Sequence, residues 1–301
     1  MIVPVRGFAP YLAEALDSVL AQDPAAVVVV DDGSDPPLRL HREHAERATL
    51  VRRDAPGGAG GAGGARHKGL AALPDEIGLV ALCDADDAWE PGKLAAQLQR
   101  LEADPGAALC FGRALVVGPD GRPTGERWAE PAPGRHEPRA FAAALYVANP
   151  IPTSSVVLRR GALETAGGFA GPVRLAEDWE LWLRLAEGGG AAVCEPAARI
   201  RYRRHPDGLT ADVAALAEAQ LTVHRLHAGL ADDATRRRVE AADLAALARG
   251  RAREQDWDGA RAALAEAGRR RRPAARDRAL GAALRVPAVR RLAGRRDPYR
   301  R

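Results

Sequence analysis

The sequence predicts an α/β fold: a doubly wound sheet with helices on both faces, followed by a helical C-terminal region. Three observations predict it. Short apolar runs alternate with stretches of helical spacing over roughly the first hundred residues. Two of these runs end in carboxylate clusters, Val27-Val28-Val29-Val30 before Asp31-Asp32-Gly33-Ser34-Asp35, and Leu79-Val80-Ala81-Leu82-Cys83 before Asp84-Ala85-Asp86-Asp87. Beyond residue 211 the strand signal stops, and Ala, Leu, Arg and Glu recur at helical spacing.

Taken in order, Ile2-Val3-Pro4-Val5 reads as the first strand. Pro10 opens a helical stretch whose apolar positions Leu12, Leu16, Val19 and Leu20 share one face. The valine run follows, a β-branched segment of the kind buried in parallel sheets. A polar helical stretch is expected around 36–47, then a strand at Thr49-Leu50-Val51. The glycine-rich segment 57–64 leads into a helix from Ala65 to Leu73. The second acidic run reads as another buried parallel strand. Pro91 marks the start of a helix faced by Leu94, Leu98 and Leu101. Residues 107–117 are strand-like, 119–138 are Pro-rich and irregular, and 149–210 form a second functional-looking block. The domain division expected is an α/β domain over 1–210, with a first half to about 118 and a second half from 119, and a helical region over 211–301. Trp257–Ala267 resembles one helix of a helical repeat, and one copy does not make an array.

Composition narrows the class. The 301 residues are 47% hydrophobic, which excludes global disorder. The net charge is only +4, because 40 acidic residues offset most of the 44 basic ones, so nucleic acid is not an expected partner. Three scattered cysteines form no CxxC pair and suggest neither a disulfide framework nor a zinc site, as in a reduced cytosolic protein. No basic region precedes a long apolar stretch at the N-terminus, so a secretory leader is not expected, and no apolar run is long enough to span a bilayer.

Both acidic clusters fall at the carboxyl ends of strands, the edge where open α/β sheets bind ligands. Carboxylates gathered there repel one another unless something offsets them, and a divalent cation carrying a phosphorylated ligand does so. Asp31–Asp35 is either a turn with helix capping or, through Asp32, an acceptor for a nucleobase or ribose. Asp84, Asp86 and Asp87 are either a solvated turn or a seat for Mg²⁺ or Mn²⁺ beside a diphosphate. The glycine-rich segment is not a Walker A loop, because Gly69 follows Lys68, and it reads as a connector from which Arg66 or Lys68 reaches a phosphate. In Glu177-Asp178-Trp179-Glu180-Leu181-Trp182, the first two acids either complement the helix dipole or present Asp178 as a general base, with Leu181, Leu185 and one tryptophan toward the core. His205, beside Arg203 and Arg204, is a candidate ligand near the diphosphate.

The order Ile-Val-Pro-Val, Asp-Asp-Gly-Ser, Asp-Ala-Asp-Asp and Glu-Asp-Trp-Glu-Leu-Trp resembles a family 2 glycosyltransferase of the inverting GT-A type. The resemblance takes in Ser18–Gln22, Ala65-Arg66, Trp89, Pro91, Lys93-Leu94, Thr153-Ser154-Ser155, Gly167-Gly168-Phe169 and Tyr202–His205, and covers roughly residues 1–210. It implies a GT-A, Rossmann-like catalytic domain over 1–210 with a mixed sheet, a nucleotide-sugar half to about 118 and an acceptor half from 119, a nucleotide-diphosphate sugar donor, and Mg²⁺ or Mn²⁺. Pro4, Val5 and Asp32 would hold the base. Arg66, Asp84 and Glu177 would bind substrate, Asp84 at the ribose or metal. Asp86 and His205 would bind the metal, and Asp178 would deprotonate the acceptor hydroxyl. Two positions depart from the family pattern: Arg6-Gly7 replaces the usual Tyr-Asn, and His67 replaces the Asn after Ala-Arg. The acceptor expected is a polysaccharide, a glycolipid or another lipid-linked glycan. The C-terminal arginines, Arg269–Arg272, Arg290-Arg291 and Arg295-Arg296, suggest peripheral contact with the inner face of an acidic membrane or a solvated face. A nucleotidyltransferase and a non-catalytic sugar-nucleotide scaffold are the alternative readings.

Overall fold

The computed structural model describes residues 1–53 and 61–284. The chain divides into two units, Met1–Arg204 and His205–Arg301.

The first unit begins with β1 (Ile2–Val5), α1 (Leu12–Leu20), β2 (Val28–Asp31), a single turn α2 (Arg42–Ala45), β3 (Thr49–Arg52) and α3 (Gly61–Ala71). The three strands are parallel in the order β1-β2-β3, with Val3 opposite Val29 and Val29 opposite Leu50. Next come β4 (Leu79–Ala81), β5 (Ala88–Trp89), α4 (Lys93–Ala103), β6 (Ala107–Val117), β7 (Pro123–Arg127), β8 (Gly134–His136), α5 (Pro138–Val147), β9 (Val157–Arg159), α6 (Arg160–Thr165), α7 (Glu177–Glu187) and β10 (Ala191–Arg203). They form a mixed sheet in the order β4-β9-β6-β10-β5, with β7 on β6 and β8 on β10. The β6–β10 pair is parallel, while β4–β9, β9–β6 and β10–β5 are antiparallel. A parallel bridge between Ile2 and Leu82 joins the two sheets, and the Cys83 N–H donates to the Ile2 carbonyl at 3.2 Å.

Alternation along β1 makes the sheet doubly wound. Ile2 lies against Gly69 of α3, whereas Val3 and Val5 share a core with Leu12, Leu16 and Val19 of α1. Neighbouring side chains of a strand point to opposite faces, so α1 and α3 cover opposite faces. A Cβ at Gly69 would lie 2.5 Å from Ile2 Cγ2 and 3.0 Å from Val30 Cγ2, so the glycine lets α3 approach the strands.

Several local expectations change. The run 79–83 is parallel only through the Ile2–Leu82 bridge; β4 itself is antiparallel to β9. The helix expected over 36–47 shrinks to one turn, because Pro36 and Pro37 bar a helix interior and Leu38 N–H is drawn to Asp31 Oδ2 at 3.1 Å. The helix expected from Ala65 begins at Gly61; the calls on Gly57–Gly60 lie outside the described residues. On α4, Leu94 and Leu101 are buried but Leu98 is 40% exposed. Gln97 takes the inward place and donates to the carbonyls of Cys110 (2.9 Å) and Ser155 (2.8 Å), which satisfies a polar group fully out of water. The stretch 119–138 contains β7 and β8; Gly121 in the turn before β7, Gly125 within β7 and Gly134 at the start of β8 have positive φ, which glycine allows. Both Trp179 and Trp182 of α7 are buried, not one.

Beside Gln97 lies Lys93, also fully buried. Its ammonium donates to Gln97 Oε1 at 2.6 Å and sits 3.8 Å from the Trp89 ring centroid. Burial pushes its pKa down to about 7. The unfolded lysine titrates near 10.4, so between about 7 and 10 the unfolded chain holds the extra proton, and this residue makes stability rise with pH. The Lys93→Met variant should therefore be more stable than wild type near pH 7, with an advantage that shrinks toward pH 10. Denaturant midpoints of both proteins at pH 7, 8 and 9 check this, and the buried cysteines cancel in the difference. Parallel curves would show that Lys93 does not titrate in this window.

In the second unit, α8 (Val213–Leu226), α9 (Asp233–Arg253), α10 (Trp257–Arg270) and α11 (Ala275–Ala283) are helical, and no strand occurs among its described residues. Asp212, Asp232 and Asp256 cap three of them by accepting the N–H groups of Ala215, Thr235 and Gly259. Small side chains, Ala214, Ala217, Ala248 and Ala263, pack around Leu247. Arg270 pairs with Glu240 at 2.7 Å, while Arg269, Arg271 and Arg272 are exposed. The later arginines, 290, 291, 295 and 296, lie outside the described residues. No helix of the described residues is long and apolar enough to cross a membrane.

Candidate active site

The two acidic clusters sit where their strands end. Asp31 is absorbed into its own turn: its carboxylate accepts the N–H groups of Ser34 (2.8 Å) and Leu38 and pairs with Arg52. Asp32 follows, its N–H donating to the Val5 carbonyl at 2.8 Å, so the ends of β1 and β2, with Pro4 and Val5, form one edge. The Asp32 carboxylate pairs with Arg53 at 2.5 Å, and Arg53 also donates to the Gly61 carbonyl at the start of α3.

The second cluster divides by burial. Asp87 is 2% exposed and accepts the Ser154 hydroxyl (2.5 Å) and the Arg203 N–H (2.9 Å). Burial raises its pKa well above the carboxylate range, and Asp86 and Asp84 raise it further. Ser154 also accepts the Asp84 N–H at 2.9 Å, so it clips both ends of the acidic loop. Asp84 and Asp86 remain half-buried.

Arg66, only 3% exposed, joins the distant motifs. It donates to Asp84 Oδ1 and to Glu177 Oε1, both at 2.5 Å. Burial disfavours its charge, but Asp84, Glu177 and Asp178 outweigh that and raise its pKa, so it stays protonated. Glu177 is lifted by burial above the usual carboxylate range, against the pull of Arg66. The position of α3 makes this contact possible: a Cβ at Gly63 would lie 2.9 Å from Glu177 Cγ, so a side chain there would wedge the helices apart.

Asp178 follows Glu177 in the first turn of α7. Ala176, at φ 57°, turns the chain into that helix. Asp178 Oδ2 accepts the Thr153 hydroxyl at 2.6 Å, and Oδ1 accepts the Trp179 N–H at 2.7 Å. Burial raises its pKa above the ordinary aspartate value, with Asp84 adding to the rise, while Thr153, Arg66 and Trp179 pull it down. A carboxylate so placed is a better proton acceptor than an exposed one.

All the site residues expected from the sequence except His205 lie in the first unit; His205 is the first residue of the second. The motifs contain Thr153, Ser154 and Arg203 but assign them no role. For Thr153 and Ser154 the signal is the polar triplet Thr153-Ser154-Ser155, set between Ile151-Pro152 and the apolar run Val156-Val157-Leu158, which reads as buried polar groups with fixed partners.

Comparison with known proteins now bears on this geometry. The model of glycosyl transferase family 2 matches residues 1–165. The chain belongs to this family. An uncharacterised protein of Mycobacterium tuberculosis is 33% identical over 206 residues, covering 66% of this chain and 56% of the relative. The match thus spans little more than half of that relative's length. The succinoglycan biosynthesis protein ExoW of Rhizobium meliloti is 39% identical over 103 residues, 31% of each chain. Among solved structures, S. aureus TarS 1-349 aligns with a TM-score of 0.58 at 18% identity, over 97% of this chain and 86% of that one. The mannosyltransferase PcManGT of Pyrobaculum calidifontis, in complex with GDP-Man and Mn²⁺, gives 0.54 at 24% identity, over 97% and 81%. At these identities the likeness establishes the shared GT-A fold. One family 2 departure has a local reason: Gly7 adopts φ 68°, a left-handed conformation that asparagine also tolerates, and its N–H donates to Ser34 Oγ at 2.9 Å.

Proposed function

We propose that the Met1–Arg204 unit transfers a sugar from a nucleoside-diphosphate donor to a hydroxyl of a glycan or lipid-linked acceptor, with inversion at the anomeric carbon. The observation that carries this reading is the buried Arg66. It ties the strand-end carboxylate Asp84 to Glu177, the neighbour of Asp178 in the first turn of α7. In this reading Pro4, Val5 and Asp32, at the ends of β1 and β2, hold the base. For Asp32 to hold the base, its carboxylate must share or exchange Arg53.

The acceptor oxygen attacks the anomeric carbon as the bond to the diphosphate oxygen breaks, and the acceptor proton passes to Asp178. Thr153 holds Asp178 by one oxygen, which orients the carboxylate. Because α7 begins at Glu177, the positive end of its dipole faces the same region.

No ready-made group of three metal-ligating side chains occurs among the described residues. A hard cation that arrives with a diphosphate needs only one or two carboxylates beside the phosphate oxygens. Half-buried Asp84 and Asp86, two residues apart on the acidic loop, fit that donor set for Mg²⁺ or Mn²⁺, with Asp84 also held by Arg66. Such an ion, when bound, offsets the charge that develops on the leaving diphosphate. PcManGT was solved with GDP-Man and Mn²⁺, which supports the same choice here.

The test is a donor-hydrolysis and transfer screen over a panel of nucleotide sugars, with Mn²⁺, with Mg²⁺ and with chelator. Hydrolysis of one donor that chelator abolishes is the expected result. The Asp86→Ala variant should lose most of that activity and bind the nucleoside diphosphate more weakly in Mn²⁺. Activity and affinity indifferent to chelator would remove the metal from the reading.

A further inference from the structure

Arg203 is the last residue of β10 and is 4% exposed. A buried guanidinium is retained only where its donors are satisfied. Here they are satisfied by parts of the first unit that are far apart in sequence. Nε donates to the Asp86 carbonyl at 3.0 Å. One terminal nitrogen donates to the carbonyls of Gly118 (3.2 Å) and Pro119 (3.3 Å), and the other pairs with Glu14 Oε2 of α1 at 2.5 Å. The guanidinium carbon lies 4.3 Å from the centroid of the Tyr11 ring. The residue's own N–H donates to Asp87 Oδ1.

The acidic loop is therefore held from two sides. Ser154 grips the Asp84 N–H and the Asp87 carboxylate, and Arg203 grips the Asp86 carbonyl and the other Asp87 oxygen. The same guanidinium binds the chain where it leaves β6 and enters the segment that begins the expected acceptor half.

We propose that Arg203 is a positioning residue: it fixes the main chain of Asp86, and with it the direction of the carboxylate that serves the diphosphate and its cation, and it locks this loop to α1 and to the exit of β6. The proposal rests on the donor and cation reading given above. Arginine is required by geometry. Its planar fork reaches three carbonyls and a carboxylate at once, whereas lysine keeps the charge but not the fixed directions.

The experiment compares wild type, Arg203→Lys, Glu14→Gln and Asp86→Ala. Binding of GDP and UDP is measured by calorimetry with and without Mn²⁺, bound Mn²⁺ is read by electron paramagnetic resonance, and thermal unfolding is recorded alongside. Loss of a partner that orients a ligating group costs about 10- to 100-fold in metal affinity, so Arg203→Lys should weaken Mn²⁺-dependent nucleotide binding by that factor. Metal-free binding should change little. Glu14→Gln keeps its shape and lies at the partly exposed end of the network, so it should fold even if Arg203→Lys does not, and show a smaller loss in the same direction. Wild-type affinity in both variants, with only the melting temperature lowered, overturns the proposal and makes Arg203 a structural tie. If Asp86→Ala abolishes the Mn²⁺-dependent binding that both variants keep, the proposal fails while the donor reading stands. Absence of any Mn²⁺-dependent binding by wild type sinks both together.

Discussion

Replacing Asp178 with asparagine is expected to lower sugar transfer by about 100- to 10,000-fold, the range for loss of a positioned general base. Asparagine keeps the size; its Oδ1 can still accept the Trp179 N–H, and its amide NH2 can donate to the Thr153 hydroxyl in place of accepting from it, so the local structure should persist. It cannot take the acceptor proton. Affinity for the nucleoside diphosphate should stay close to wild type, because in its proposed role the residue acts on the acceptor and not on the donor. The pH profile adds a second check. The base must be deprotonated, and burial raises its pKa, so wild-type turnover should fall on the acid side at a higher pH than an exposed aspartate would set. Single-turnover rates and calorimetric affinities for the two proteins measure both effects. Near wild-type turnover in Asp178→Asn would reduce the residue to a partner of the α7 terminus.

Replacing Arg66 with methionine should cost the first unit about 3–5 kcal/mol, the range for removing one partner of a buried ion pair. The reason lies in what is left behind. Glu177 is 8% exposed and would lose the cation that favours its ionised form against burial and the neighbouring Asp178. In a unit of this size the loss corresponds to a melting temperature lower by on the order of 10 °C. Adding Glu177→Gln should recover part of it, because the double variant no longer buries an unpaired charge. Thermal unfolding of the two single variants and the double variant completes the cycle. Strictly additive losses would mean that the 2.5 Å contact carries no coupling. Donor binding should weaken in Arg66→Met as well, since Asp84 is released from its anchor.

The elements with strong local chemistry were legible in advance. The valine run became β2, residues 107–117 became β6 with the expected bounds, and Leu12, Leu16, Val19 and Leu20 are all buried. These segments carry apolar, β-branched or helically spaced side chains, and the period alone states which face is buried. The segments β7 and β8 were not legible. Pro123–Arg127 is exposed throughout, so no alternation betrays it, and it is a strand because the C-terminal half of β6, beyond its pairing with β9, is open to a partner. Leu98 and Gln97 were transposed for a related reason. Both lie near the inward stripe, and only the carbonyls of Cys110 and Ser155, which accept the Gln97 amide, favour the polar one.

By itself the sequence determined the alternation of strands and helices, the two carboxylate clusters at strand ends, the order of motifs that marks family 2, and the helical region beyond residue 211. Each of these is encoded within a few residues of itself. Only the tertiary structure decided which carboxylates are partnered and which stay accessible. It placed Arg66 against Glu177, 111 residues away, and Arg203 against Asp86, 117 residues away. It took Asp87 out of water, left Asp84 and Asp86 half-buried, and aimed Thr153 at Asp178. A charge's role depends on its dielectric surroundings and on the groups within hydrogen-bond reach. Folding brings those groups together from segments whose separation along the chain carries no trace of the contact.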